Sequence, residues 1–216
     1  FNPYLRNNYN IIILGETGSG KSMTAKVLLK RLREKYGIKI WGIDPENEYV
    51  KIAKVLGLEA VIVKKGQMLG LDPFKLSKIS TEEGKLLDSE DIAELLADFY
   101  LPDNIALRNR LRAYASDYAD SYSVFEFLEN IKGDTELYNY LKAIEAPPDK
   151  YVFDGEPPEL TENIVFGLKE ISGSGATRLK AIITTMLSLI YQKEAFGDRE
   201  KGYVFIDEAW LFVKYP

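Results

Sequence analysis

Eight residues near the start of the chain, Gly15-Glu16-Thr17-Gly18-Ser19-Gly20-Lys21-Ser22, restrict its fold more than any other feature. They match G-x-x-x-x-G-K-[ST], a loop whose backbone N–H groups cradle phosphates. The loop works only between a strand and a helix, because the helix N-terminus adds unpaired N–H groups and partial positive charge. Both flanks are present. Ile11-Ile12-Ile13-Leu14 reads as a buried strand. After the loop, Ala25, Leu28, Leu29 and Leu32 share one face of a helix that Gly37 stops. Nucleotide phosphates would be gripped by Gly15, Glu16, Thr17, Gly18, Ser19, Gly20, Lys21, Ser22 and Met23. Lys21 is long enough to reach the outer phosphates, and the Ser22 hydroxyl suits Mg²⁺.

A second string gives the loop a chemistry. Tyr203-Val204-Phe205-Ile206 reads as an apolar strand with Asp207-Glu208 at its carboxyl end. Ligands of open α/β sheets bind at the carboxyl ends of the strands. Asp207 is therefore placed to hold Mg²⁺, directly or through water. Glu208, one residue on, is placed to polarise a water for attack on a γ-phosphate. The catalytic pair is thus Lys21 and Glu208, with Ser22 and Asp207 as metal ligands. A carboxylate beside the metal acid points to an ATPase that does mechanical work. A small-GTPase switch would carry Asp-x-x-Gly at this place, and the chain reads Asp207-Glu208-Ala209-Trp210.

Composition narrows the chemistry further. The chain has 216 residues and neither Cys nor His, so disulfides, zinc–thiolate sites and every His-based triad are excluded. What remains is carboxylates, lysines, hydroxyls and Mg²⁺. A net charge of −5 advertises no broad basic face for DNA, although a ring could still line its pore with a few Lys or Arg. Charged residues at 28%, with few Met, lean toward a thermophilic source. No stretch is long and apolar enough for a transmembrane helix, and no signal peptide is visible. A start at Phe1 reads as an excised domain.

The order along the chain is βαβ, a helical stretch, then βαβ again. Ile38-Lys39-Ile40-Trp41-Gly42-Ile43 and Ala60-Val61-Ile62-Val63 read as strands, with a short helix between them carrying Tyr49, Ile52, Ala53 and Leu56 inward. From about residue 80 to 146 strand signals vanish and helical periodicity takes over. The stripes are Ile92, Leu95, Leu96 and Phe99, then Leu107, Leu111, Tyr114 and Tyr118, then Val124, Leu128 and Ile131, then Leu137, Leu141 and Ile144. Ser123 with Glu126 reads as a capping box. These stripes predict helix–helix packing. Arg108, Arg110 and Arg112 cluster there, either as a solvated face or as a contact to a neighbouring subunit or DNA. Asn163-Ile164-Val165-Phe166 returns the chain to the sheet, and a long apolar helix with Leu179, Ile182, Ile183, Met186 and Ile190 leads to the Asp-Glu strand. The fold expected is α/β: a mostly parallel, RecA-like P-loop sheet flanked by helices. Residues 1–79 and 147–216 would form the ATPase core and residues 80–146 an inserted all-α subdomain.

This order resembles one family. The P-loop, Ile43-Asp44-Pro45-Glu46-Asn47-Glu48-Tyr49, Leu71-Asp72-Pro73-Phe74, the helical stretch, Phe153-Asp154-Gly155 and Ile206-Asp207-Glu208-Ala209-Trp210 follow one another as in the conjugative-transfer ATPases of type IV secretion systems (VirB and TrbE type), within the HerA–FtsK superfamily. The family pattern favours Asp where Gly167 stands, so the match there is partial. The resemblance implies a hexameric motor that binds ATP and Mg²⁺ between copies of itself and drives DNA or protein transfer or pilus assembly. It implies a secretion or conjugation apparatus as partner, DNA as a further candidate, and a cytoplasmic place, attached to the inner face of the membrane only through partners. It maps Lys21, Ser22, Asp207 and Glu208 onto the phosphate, metal and catalytic positions. Asp44 and Glu48 either approach that site from the side or cap the turn between them. The family's sensor strand and C-terminal arginine finger have no counterpart before Pro216, which implies missing C-terminal strands and an exposed groove beside the P-loop strand. Two other readings stay open: a double-stranded DNA translocase of the same superfamily, and a nucleotide-binding assembly subunit without turnover.

Overall fold

The computed structural model describes residues 11–16, 18–81, 84–159, 161–173, 175–197 and 202–209. Four parallel strands form the main sheet: β1 (Lys39–Asp44), β2 (Glu59–Ile62), β5 (Ile164–Gly167) and β6 (Gly202–Ile206), in the order β2-β5-β1-β6. β1 is central and nearly continuous in apolar burial, as a strand covered on both faces must be. Trp41 pairs with Ile164 on one side and Val204 on the other.

Side chains alternate across β1. Ile40, with Val165, faces a cluster made by α1 (Lys21–Tyr36) and the short helical stretch ending in α2 (Ala53–Leu56), through Leu29, Tyr49, Ala53 and Leu56. Trp41 and Ile43, with Ile164 and Phe166, face α9 (Ala176–Gly197), whose Ile182, Ile183, Met186 and Ile190 are buried. The Tyr191 ring stacks on Trp41 at 5.7 Å. Gly42 is required by packing: a Cβ there would stand 2.3 Å from the Phe205 ring. α1 ends as its sequence predicts, with Gly37 left-handed at φ 63° and its N–H donating to the Arg33 carbonyl.

Between β2 and β5 lie α3 (Pro73–Leu76), a two-residue hairpin of β3 (Ser80–Thr81) and β4 (Gly84–Lys85), then α4 (Ser89–Tyr100), α5 (Ile105–Asp117), α6 (Val124–Asn130), α7 (Thr135–Leu141) and α8 (Asp149–Phe153). No strand appears between residues 90 and 145. Strand signals do not vanish at residue 80 as expected, because the hairpin is too short and too polar for a period-two pattern. Ser123 accepts from the Glu126 N–H as anticipated, but the Glu126 carboxylate reaches the N–H of Tyr122 instead of closing the box on Ser123. Asp72 ties the segment to the sheet. Its carboxylate caps α3 through the N–H groups of Phe74 and Lys75 and also accepts from the N–H of Val124 at the start of α6. The apolar core runs without a break from Trp41 and Phe166 through Phe74, Phe127 and Phe153 into Leu96, Leu111 and Leu137.

One expectation is overturned. Residues 11–14 form no strand, and Ile12 and Leu14 are 82% and 87% exposed. A lone apolar run becomes a strand only when a neighbour takes its N–H and C=O groups. No such neighbour exists among the described residues, where β6 is the edge of the sheet.

Candidate nucleotide site

The loop and its helix have the shape an anion needs. Gly18 and Gly20 adopt φ of 82° and 90°, a region closed to most side chains. No side chain caps α1 at Gly20 and no acidic residue stands in its first turn, so the leading N–H groups point outward unclaimed within the helix. The Lys21 ammonium donates to the carbonyl oxygens of Gly15 at 2.6 Å and Glu16 at 2.8 Å. It is thereby held over the mouth of the loop, on neutral acceptors that a phosphate oxygen would outcompete. Gly15, Glu16, Ser19 and Met23 are exposed around it, and Ser22 is half-buried. Thr17 and Trp210 lie outside the described residues.

The acidic half arrives on the carboxyl ends of two adjacent strands. Asp207 follows β6 and its N–H extends the ladder to the Ile43 carbonyl at 3.0 Å. Burial pushes its carboxyl above the usual range. The backbone N–H of Glu208 pulls the other way, and the carboxylates of Glu208, Asp44 and Glu48 push up again. A cation at this place would relieve that repulsion. Among the described residues no group of three or more His, Cys, Asp or Glu side chains forms a metal cage. A single carboxylate with the Ser22 hydroxyl suits Mg²⁺ on a nucleotide, since this ion keeps several waters and takes phosphate oxygens as ligands. Glu208 is exposed and left-handed at φ 53°. Such a backbone is uncommon for a residue with a Cβ and is concentrated at functional sites.

Asp44 and Glu48 separate into two roles. Asp44 is fully buried and accepts from the N–H groups of Glu48, Tyr49 and Val50 at 2.7–3.0 Å, so it caps the turn. Glu48 faces α1. Its carboxylate accepts from Lys26 at 3.3 Å, and the Lys26 ammonium and the Ser22 hydroxyl hold it below the usual range against the opposing effect of burial. Tyr49 is buried beside these acids, and its phenol is pushed up by burial first and then by Asp207, Asp44 and Glu48. Sequence reasoning passed over Lys26. A signal existed, because Ser22 and Lys26 stand four residues apart and so share one face of α1.

Gly167, the departure from the family pattern, has a local cause. A Cβ there would stand 2.4 Å from the Asn47 carboxamide oxygen, which accepts from the Lys169 N–H. The arginine cluster of α5 is bound internally. Arg108 pairs with Glu94 and Asp98, Arg110 with Asp134 and Glu136, and Arg112 with Glu94.

The family described as "Helicase HerA, central domain" matches residues 10–199. The structure is similar to that of VirB4 of Thermoanaerobacter pseudethanolicus, with a TM-score of 0.72 and 22% identity over 95% of this chain. The chain spans 62% of that structure's length. No curated protein matches.

Proposed function

Because the chain belongs to the HerA central-domain family, we propose that it is the ATP-binding and ATP-hydrolysing domain of a motor, acting as a homo-hexamer in a type IV secretion or conjugation apparatus. One observation supports the reading: the glycine loop opens directly into α1, and Asp207 and Glu208 follow the carboxyl end of β6, the Asp207 N–H donating to the Ile43 carbonyl of the neighbouring strand. The similarity to VirB4 supports secretion over other motor tasks. The HerA family supports the second reading, a double-stranded DNA translocase.

In this reading the N–H groups of Gly18 to Ser22 and the Lys21 ammonium bind the β- and γ-phosphates, and Lys21 leaves its two loop carbonyls to do so. Ser22 and Asp207 would hold Mg²⁺, which would offset charge on the phosphate oxygens. Glu208 takes a proton from the water that attacks the γ-phosphorus, and ADP leaves as the bond to the β-phosphate oxygen breaks. The division into a core (1–79 and 147–216) and an insert (80–146) belongs to the same proposal, as does a cytoplasmic place at the membrane through partners. Among the described residues no helix is long and apolar enough to cross a membrane.

The test is phosphate release by the full-length, oligomeric protein carrying Glu208→Gln. Turnover should fall about 10²–10⁴-fold with ATP still bound. Turnover at the parental rate would leave a nucleotide-binding assembly subunit as the better description. Stimulation of turnover by double-stranded DNA alone would favour the translocase over the secretion motor.

A further inference from the structure

At the carboxyl ends of β2 and β5 a cavity of about 380 Å³ opens. Its floor is core: Val63, Val152, Ile171 and Ile183 are each at most 5% exposed. One wall is the turn after β2, shaped by Gly66 at φ 77° and by the Gln67 side chain accepting from the Lys64 N–H. The opposite wall is the first two turns of α9, with Ala176 and Leu179 facing in. The third is the stretch of Pro147 to Val152, where the helical segment rejoins the sheet. The rim carries Lys64 and Lys65, both exposed, and neither forms an ion pair among the described residues. The Lys65 ammonium hangs over Gly173, 3.8 Å from the position a Cβ would take.

A bowl of this size with an apolar floor and a few convergent polar groups has the dimensions of a small-molecule site, and such sites favour the seams between structural units. The charge at its mouth is cationic in a chain of net charge −5. The α9 N-terminus adds partial positive charge at the same lip. We propose that this cavity binds a small amphipathic anion, its apolar body against Ile171, Leu179 and Ile183 and its carboxylate or equivalent head on Lys64 and Lys65. The site is independent of the nucleotide, so it stands or falls apart from the function proposed above.

Octanoate and the uncharged octanol serve as probes, read by methyl NMR on the full chain. Octanoate should shift the methyl signals of Ile171, Leu179 and Ile183 saturably and leave Ile12 and Leu14 in place. A charge-assisted contact is worth about tenfold or more, so octanol should bind correspondingly weaker. Lys64→Glu with Lys65→Glu should remove that preference while octanol binding persists. Ala176→Phe, which fills the bowl, should abolish both, and Leu179→Phe substitutes for it should that variant not fold. Lys21→Ala should leave octanoate binding intact even where ATP binding is lost. Equal binding of the two probes, unchanged octanoate affinity in the double lysine variant, shifts confined to Ile12 and Leu14, or no saturable shift would each overturn the proposal.

Discussion

Lys21 is committed to two carbonyl oxygens of its own loop before any ligand arrives. The ammonium is therefore positioned at no further cost in side-chain freedom when phosphate displaces those acceptors. Lys21→Ala should weaken ATP binding by well over tenfold, since a desolvated charge contact of this kind is worth on the order of 2–5 kcal/mol. Calorimetry with parent and variant checks it, and equal affinities would remove the loop from the site. Asp207→Asn should act on the metal instead, weakening binding with Mg²⁺ far more than binding without it. Gly167 gives a residue-scale test of packing. Gly167→Ala would drive a methyl into the Asn47 carboxamide, and overpacking of that order costs about 1–3 kcal/mol in urea unfolding. A variant as stable as the parent would show that Asn47 yields freely.

The elements that sequence made legible are those whose signal is local. The Gly37 stop, the apolar run of β1 and the stripes of α4 and α9 are each contained within one element, while the stripes of α5 and α6 end one residue past theirs and that of α7 ends at Ile144, in the 3-10 turn that follows it. What escaped depends on partners far along the chain. Residues 11–14 have the composition of a strand and lack a ladder. Arg108, Arg110 and Arg112 could not be told from a docking face until α4 and the start of α7 supplied their acids. The turn of the glycine loop into α1 was readable because its spacing is local, whereas the Ser22–Glu48–Lys26 contact requires knowing that the turn after β1 folds back on α1. Asp72 is a further element-scale case, and it yields a pH test. Burial pushes its carboxyl up to about 6 from an ordinary 3.8, against the N–H groups of Val124, Phe74 and Lys75. The folded chain thus keeps a proton that the unfolded chain has released. Its contribution to stability is greatest at the acid end and declines as pH rises through that window. Asp72→Asn, which keeps a capping oxygen, should flatten this part of the stability–pH curve. Parallel curves for parent and variant would contradict the burial argument.

At the scale of the whole molecule, the helical segment and the sheet are joined by charge as well as by core. Asp149 is 2% exposed, and both its oxygens accept from Arg178 of α9 while one also accepts from the Tyr100 hydroxyl. The guanidinium lies 5.2 Å over the Tyr100 ring. Arg178→Ala would strand a buried carboxylate. Breaking a buried pair costs about 3–5 kcal/mol, with the lower end expected here because the Arg178 side chain keeps 30% of its exposure. Denaturant unfolding should show this as a lower midpoint at an unchanged slope; a change within error would mean solvent replaces the pair. The unbroken core from Trp41 to Leu137 has a consequence of another kind. A stretch that begins and ends in the sheet and shares its interior is not a cassette. Grafted onto a foreign scaffold, residues 80–146 would carry half of an interior with them and leave the other half behind. Heating should accordingly melt the chain in one transition rather than two, and change in this lineage is expected to accumulate on the segment's outer face while its inner face varies only in step with the sheet.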